Sequence, residues 1–263
     1  MKKIIRNILT FFPGLQDLRF ATQKRMRSAF NSYYEEDYAH LNKFQGINNY
    51  VDIGANRGDT IHDVLRIFPD TKIVGFEPNV ALFNKLEKQL SKHKNVTIHN
   101  TGLGNSNEVR DFYLPKYRNY IFDGLGSFQY EATVSLLRLE IPNFNEDLVT
   151  VDKHQFKVQK LDDFNLTPDF IKIDVQGYEY LALKGGEQTI SKYKPILLIE
   201  TPGKDIIEYL ESLNYMHAYL VNGKFVKGRG DLNTFFFNKD NIKKYFDSPS
   251  ILAEAGFDVK TLA

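Results

Sequence analysis

Cysteine is absent from the 263 residues, which excludes disulfides, thiolate nucleophiles and cysteine-based metal sites. Also missing is any run of about 18–20 apolar residues, the length that a membrane-spanning helix requires. Neither sign of charge dominates: 34 Lys and Arg stand against 33 Asp and Glu, a net +1. The molecule as a whole therefore has no field that would gather nucleic acid. There are no internal repeats and no low-complexity segments. What remains is an ordinary globular mixture, 42% hydrophobic and 25% charged. Its length suits one sizeable α/β domain with additions better than two full domains. These traits fit a cytoplasmic protein.

One region departs from the even charge. Lys2, Lys3, Arg6, Arg19, Lys24, Arg25 and Arg27 meet only Asp17 before the acidic run Glu35-Glu36-Asp37. Ile4, Ile5, Ile8, Leu9 and Phe12 recur at helical spacing, so residues 1–45 read as a basic helical arm. Such a helix packs on the main domain or on a second subunit; the alternative is contact with the inner face of a membrane. The opening resembles a signal peptide for a few residues, but Arg6 and Asn7 interrupt it and no small-residue cleavage site follows, so it reads as mature chain.

From residue 48 short apolar runs alternate with helical stretches, the pattern of a mostly parallel sheet with crossover helices. Strands are expected at Tyr50–Ile53, Lys72–Phe76, Val96–Asn100, Phe170–Asp174 and Ile196–Glu200. Helices follow at Thr60–Phe68, Val80–Ser91, Tyr178–Ser191 and Lys204–Leu213, with Pro69 ending the first and Pro78 suited to the first turn of the second. Met216–Val221 and Thr234–Asn238, joined through Gly223, Gly228 and Gly230, read as an antiparallel hairpin at the sheet edge. Residues 108–160 interrupt the alternation as a β-rich insertion. A domain over 46–240 and a tail over 241–263 complete the division.

Two motifs point to a nucleoside ligand. In Val51-Asp-Ile-Gly-Ala-Asn-Arg-Gly58 an apolar strand runs into Gly54 and Gly58, and a helix begins just after. Glycine there lets a ligand approach the main chain, and a helix N-terminus offers free N–H groups. At one crossover's distance, Val74-Gly-Phe-Glu-Pro78 places Glu77 at a strand end, where it can accept hydrogen bonds from two ribose hydroxyls. A dinucleotide is the competing ligand. However, the fingerprint Gly-x-Gly-x-x-Gly lacks its middle glycine here, and Tyr180 with Lys184 gives only the spacing of a short-chain NAD(P)-dependent oxidoreductase.

The third motif is Phe170-Ile-Lys-Ile-Asp-Val-Gln-Gly-Tyr-Glu-Tyr180. A central strand carrying Lys172 and ending in Asp174 aims these groups at the crevice where ligands of such sheets bind. A buried lysine needs a partner, and Glu200, ending the next strand, is the expected one.

Taken in order, Asp52-x-Gly-Ala-Asn-x-Gly58, Phe76-Glu-Pro78, Leu161-Asp-Asp163, Ile171-Lys-Ile-Asp-Val-Gln-Gly-x-Glu179 and Leu198-Ile-Glu200 resemble the FkbM family of methyltransferases over roughly residues 48–240. The resemblance implies an α/β class I methyltransferase (Rossmann-like) fold: a mostly parallel seven-stranded sheet with a C-terminal antiparallel hairpin. It also implies S-adenosyl-L-methionine as cofactor and O-methylation of a hydroxyl on a sugar, glycan or glycolipid precursor, or natural product. Gln176 departs from the family, which often has Glu there.

Carried over residue by residue, the resemblance puts Asp52, Gly54, Ala55, Asn56 and Gly58 at the methionine part of the cofactor. Asp59 and Thr60 cap the following helix, Glu77 with Pro78 holds the ribose, and Gly102 and Leu103 lie near adenine. Asp174 is the first choice for base or substrate-orienting group, followed by Glu179, Glu200 and His154. The aromatic-rich insertion would grip the acceptor through Tyr117, Tyr120, Ser127 and Phe128, though the same rings could equally pack the insertion. The segment Gly124-Leu-Gly-Ser-Phe128 reads as a mobile flap, and no spacing demands a metal. Two other readings stand beside the enzyme: a non-catalytic cofactor-binding module of this fold, and the oxidoreductase.

Overall fold

The computed structural model describes residues 11, 16–30, 32–141, 143–247 and 250–257. Apart from Phe11, the amphipathic helix expected in the first dozen residues lies outside them. Two compact units emerge: residues 1–32, 108–157 and 175–178 form one, and residues 33–107, 158–174 and 179–263 the other.

The larger unit holds an eight-stranded sheet. Along the chain run β1 (Asn49–Ile53), α2 (Asp59–Ile67, after α1, Gln16–Ala29, of the smaller unit), β2 (Lys72–Phe76), α3 (Val80–Leu90), β3 (Val96–His99) and the short β4 (Gly102–Leu103). After the insertion come β8 (Phe170–Ile173), α5 (Glu179–Gly185), α6 (Glu187–Tyr193), β9 (Ile196–Glu200), α7 (Lys204–Ser212), β10 (Tyr215–Val221), β11 (Lys224–Lys227) and β12 (Asn233–Asn238). Two short helices end the described chain, α8 (Ile242–Tyr245) and α9 (Ser250–Glu254). Strand order is β11-β10-β12-β9-β8-β1-β2-β3. The strands from β9 to β3 are parallel, and β12 runs antiparallel between β9 and β10. This is the class I methyltransferase arrangement with one strand added. The glycine-bearing turn region between the last two expected strands holds a further strand, β11, folded back onto β10 through Asn222-Gly223, both at positive φ (49° and 74°), as a two-residue hairpin turn of this hand demands.

Alternation assigns one face of the sheet to the core. Tyr50, Phe170, Ile196, Leu198, Phe235 and Phe237 line it, and Tyr38, Leu41, Phe44 and Ile47 cover it together with Ile242, Tyr245, Phe246 and Leu252. The 3-10 segment Glu36–Lys43 thus contributes to the core through Tyr38 and Leu41, and beyond residue 240 so do Ile242, Tyr245, Phe246, Leu252 and Ala255. Phe44 meets Phe246 edge-on at 5.2 Å, and Gln45 N–H donates to the Tyr245 carbonyl at 3.0 Å.

The smaller unit contains α1, β5 (Glu108–Tyr117), β6 (Tyr120–Ile121), α4 (Tyr130–Glu140) and most of β7 (Val149–Gln159). The helix was not expected in a β-rich insertion. Its buried residues Thr133 and Leu137 lie four apart, with Ile141 another four on, a helical stripe of only three positions.

Candidate functional site

The site is built at the carboxyl ends of the parallel strands. Gly54 N–H and Ala55 N–H both donate to the Phe76 carbonyl at 3.0 Å, so the first loop closes against the end of β2. Gly58 sits at φ 73° as the residue before α2, and a side chain there would meet the Leu86 Cδ2 of α3 at 2.6 Å. Glycine is needed twice over, for its backbone and for space. The expected caps differ from the observed ones. Asp59 begins α2, while Thr60 turns its hydroxyl away from the helix end and donates to Asp52 Oδ2 at 2.6 Å. Asp52 is fully buried, and its other oxygen, Oδ1, has no partner within the protein; neither does the buried Oδ1 of Asn56.

Glu77 follows β2 and is buried. Its Oε2 accepts from Asn56 N–H and its Oε1 from Asn79 N–H, each at 2.8 Å, so it ties the glycine loop to the start of α3. Ribose hydroxyls would share the carboxylate with these amides. Pro78 lies outside the helix, because Asn79 is the cap residue, its side chain accepting from Ala81 N–H at 3.0 Å. Gly102 and Leu103 form β4, paired with Val158 and Gln159 of β7; Leu103 is buried, so it contributes to the interior and not to an open face.

Asp174 follows β8, with its N–H donating to the Ile53 carbonyl at 3.0 Å. The expected Lys172–Glu200 pair is replaced: Lys172 Nζ meets Asp174 Oδ2 at 3.1 Å, and Glu200 hydrogen-bonds to Asp174. The register explains why. Lys172 lies beside Asp52 of β1 on one side and Leu198 of β9 on the other, which leaves Glu200 one pleat further on, level with Asp174. Burial alone would push the lysine's pKa down, but Asp174, Asp52 and Glu35 overcome it and hold Lys172 well above its ordinary value. Burial and then the adjoining Asp174 push Glu200 up to about 9, so the Asp174–Glu200 pair favours holding a proton. Thr201, just beyond, has φ 41°, a costly backbone for a β-branched residue. Glu179 opens α5 and is buried.

Sequence reasoning missed four residues here: Tyr34, Glu35, Asp37 and Asn233. Asn233 is the register partner of Glu200, and its Nδ2 donates to Glu35 Oε2 and Asp37 Oδ2, both at 2.8 Å. The signal was the acidic run directly before an apolar pattern, which read only as the end of the basic arm.

The smaller unit places the other candidates. Tyr117 and Tyr120 belong to its core with Phe122, Leu137 and Ile141, and Tyr117 Oη accepts from Asn145 N–H at 3.1 Å. They pack the insertion and do not present ring faces. Phe128 is buried against Phe112 and Tyr178. Ser127 is no part of a loose flap: it exchanges backbone hydrogen bonds with Tyr113, and its hydroxyl donates to the Gln176 carbonyl at 2.8 Å. His154 is exposed on β7, stacked on Phe156, without the buried partners that Asp174 and Glu200 have. Among the described residues no cluster of three or more His, Asp and Glu is arranged to hold a metal ion, and no helix is long and apolar enough to cross a membrane.

Residues 52–216 match the Methyltransferase FkbM domain family. No curated protein matches the chain. Among solved structures, the chain is similar to methyltransferase FkbM from Methylobacillus flagellatus KT, with 20% identity and a TM-score of 0.49 over 72% of this chain and 43% of that one. It is also similar to precorrin-6y C5,15-methyltransferase from Geobacter metallireducens GS-15 (13% identity, TM-score 0.39, 75% and 83% of the two chains). A third is a SAM-dependent O-methyltransferase from Thermotoga maritima (12% identity, TM-score 0.34, 77% and 64%). This chain thus spans less than half of the first of these proteins.

Proposed function

The chain belongs to the FkbM methyltransferase family, and on that premise we propose that it is an O-methyltransferase acting on a hydroxyl of a sugar, a glycan or glycolipid precursor, or a natural product. Its methyl donor is S-adenosylmethionine. The observation that carries the reading is the Asp174–Glu200 pair, set at the ends of adjacent strands beside a single buried ammonium.

When bound, S-adenosylmethionine supplies a methyl group activated by a sulfonium leaving group. The protein's own tasks are alignment, which can be worth about 7–11 kcal/mol of barrier, and the handling of one proton. The loop from Gly54 to Gly58 suits the methionine end, where the buried Asp52 Oδ1 and Asn56 Oδ1 await partners. Glu77 holds the ribose. A sugar hydroxyl is a weak nucleophile until it gives up its proton, and a positioned base contributes about 10²–10⁴-fold. Asp174 takes that proton, Glu200 as a neutral acid donates a hydrogen bond to it, and the Lys172 ammonium balances its charge.

Isothermal titration with S-adenosylmethionine and S-adenosylhomocysteine tests the core of this. Glu77→Ala is expected to weaken both by about tenfold, the scale of lost charge-assisted hydrogen bonds. Asp174→Ala is expected to leave donor binding within about threefold but to abolish turnover in a screen of acceptor sugars with labelled donor. Binding without turnover on any acceptor would favour a non-catalytic module, and no binding of either ligand would defeat the reading.

A further inference from the structure

The stretch Tyr33–Asp37 precedes the matched domain and is fastened on both sides. At one end Tyr34 N–H donates to Asp63 Oδ2 of α2 at 2.6 Å, and Arg66 of the same helix lies 4.6 Å over the Tyr33 ring. At the other, Asn233 of β12 holds Glu35 and Asp37. Because α2 continues from β1 and β12 adjoins β9, the stretch crosses the carboxyl ends of β1, β8 and β9. Tyr34 there is half-exposed and feels Asp59, Glu35, Lys172 and Asp174.

Five carboxyl groups therefore share one end of the sheet: Glu35, Asp37, Asp52, Asp174 and Glu200. Lys172 is the ammonium acting among them, with His40 near Asp37 and the phenols of Tyr34, Tyr38 and Tyr50 alongside. Burial raises Glu35, Asp37 and Asp52 above the ordinary carboxylate range, and Lys172 pulls Glu35 and Asp52 only part of the way back. Asp52 Oδ1, fully buried, has no partner. Such a site gains from one further cation.

We propose that Tyr33–Asp37 forms a wall of the donor site and that Glu35 makes this site prefer the positively charged methyl donor to the neutral thioether left after transfer. The proposal rests on the donor-site reading above. S-adenosylmethionine and S-adenosylhomocysteine share their amino and carboxylate groups and differ by one methyl and one charge. Their affinity ratio thus reads the electrostatics of the wall, and a donor-selective wall also speeds product release.

The test is titration of the full chain with both ligands at pH 6 and pH 8.5. Wild type is expected to bind the donor more tightly than the thioether, increasingly so at the higher pH. Glu35→Gln should cost the donor about tenfold, the scale of one charge acting through a partly aqueous site, and the thioether less than about twofold. Equal effects on both ligands, or on neither, overturn the proposal. A second measurement needs no variant. Titrations of wild type in two buffers of different protonation heat should show more protons released with the donor than with the thioether, because a cation draws protons from the raised carboxyl groups. Equal proton release overturns the proposal. If wild type binds neither ligand, the donor-site reading falls and takes this inference with it.

Discussion

Glu200 shows how one residue couples the site to stability. Its pKa stands near 9 when folded and near 4.5 when unfolded. Between those values the folded chain keeps a proton that the unfolded chain has released, so stability falls as pH rises, by at most about 1.4 kcal/mol per pH unit. Glu200→Gln should flatten the melting temperature between pH 5 and 9 and exceed wild type at the alkaline end. Thr201→Gly, which relieves φ 41°, should stabilise by about 1 kcal/mol in denaturant unfolding despite added chain entropy. Gly58→Ala should cost about 1–3 kcal/mol, since the new methyl group meets Leu86 and the backbone is left-handed. At this scale the places of Asp52, Glu77 and Asp174 at the carboxyl end of the sheet were legible because each sits at a fixed offset within a strand-loop-helix motif. The Lys172 partner was misread because Asp174, two residues on, shares its face of the strand, while register sets Leu198 and not Glu200 beside Lys172.

Elements were legible where burial imposes a clean period. The five parallel strands are short, mostly apolar runs bounded by turn residues, so their expected and observed bounds agree within about two residues. α4 and β11 escaped notice for different reasons: the buried stripe of α4 is only three positions long, Thr133, Leu137 and Ile141, within a segment that reads as part of a β-rich insertion, and β11 has just one buried residue, Phe225. The 3-10 segment Glu36–Lys43 was legible as helical in kind but not in role, because its contacts lie about 200 residues away. Phe44, which ends it, touches the rings of Phe170, Phe225, Phe235, Phe237 and Phe246. Phe44→Ala should therefore cost about 3–5 kcal/mol, measured by urea unfolding, while donor affinity of the fraction still folded stays within about twofold.

For the molecule as a whole, the order of motifs carried the fold class, whereas the boundaries drawn at residues 45 and 240 missed core elements on both sides. A ligand that binds only the folded state stabilises it by about 2.7 kcal/mol at a hundred times its Kd, so saturating S-adenosylmethionine should raise the melting temperature by several degrees. The pairing of Phe44 with Phe246, and of Gln45 with Tyr245, also bears on synthesis. One face of the sheet stays uncovered until residues 235–246 leave the ribosome, since Phe235, Phe237, Tyr245 and Phe246 complete it. Contacts of such long separation form late, so a nascent chain stalled before residue 230 would expose the aromatic face and depend on a chaperone to keep it from aggregating.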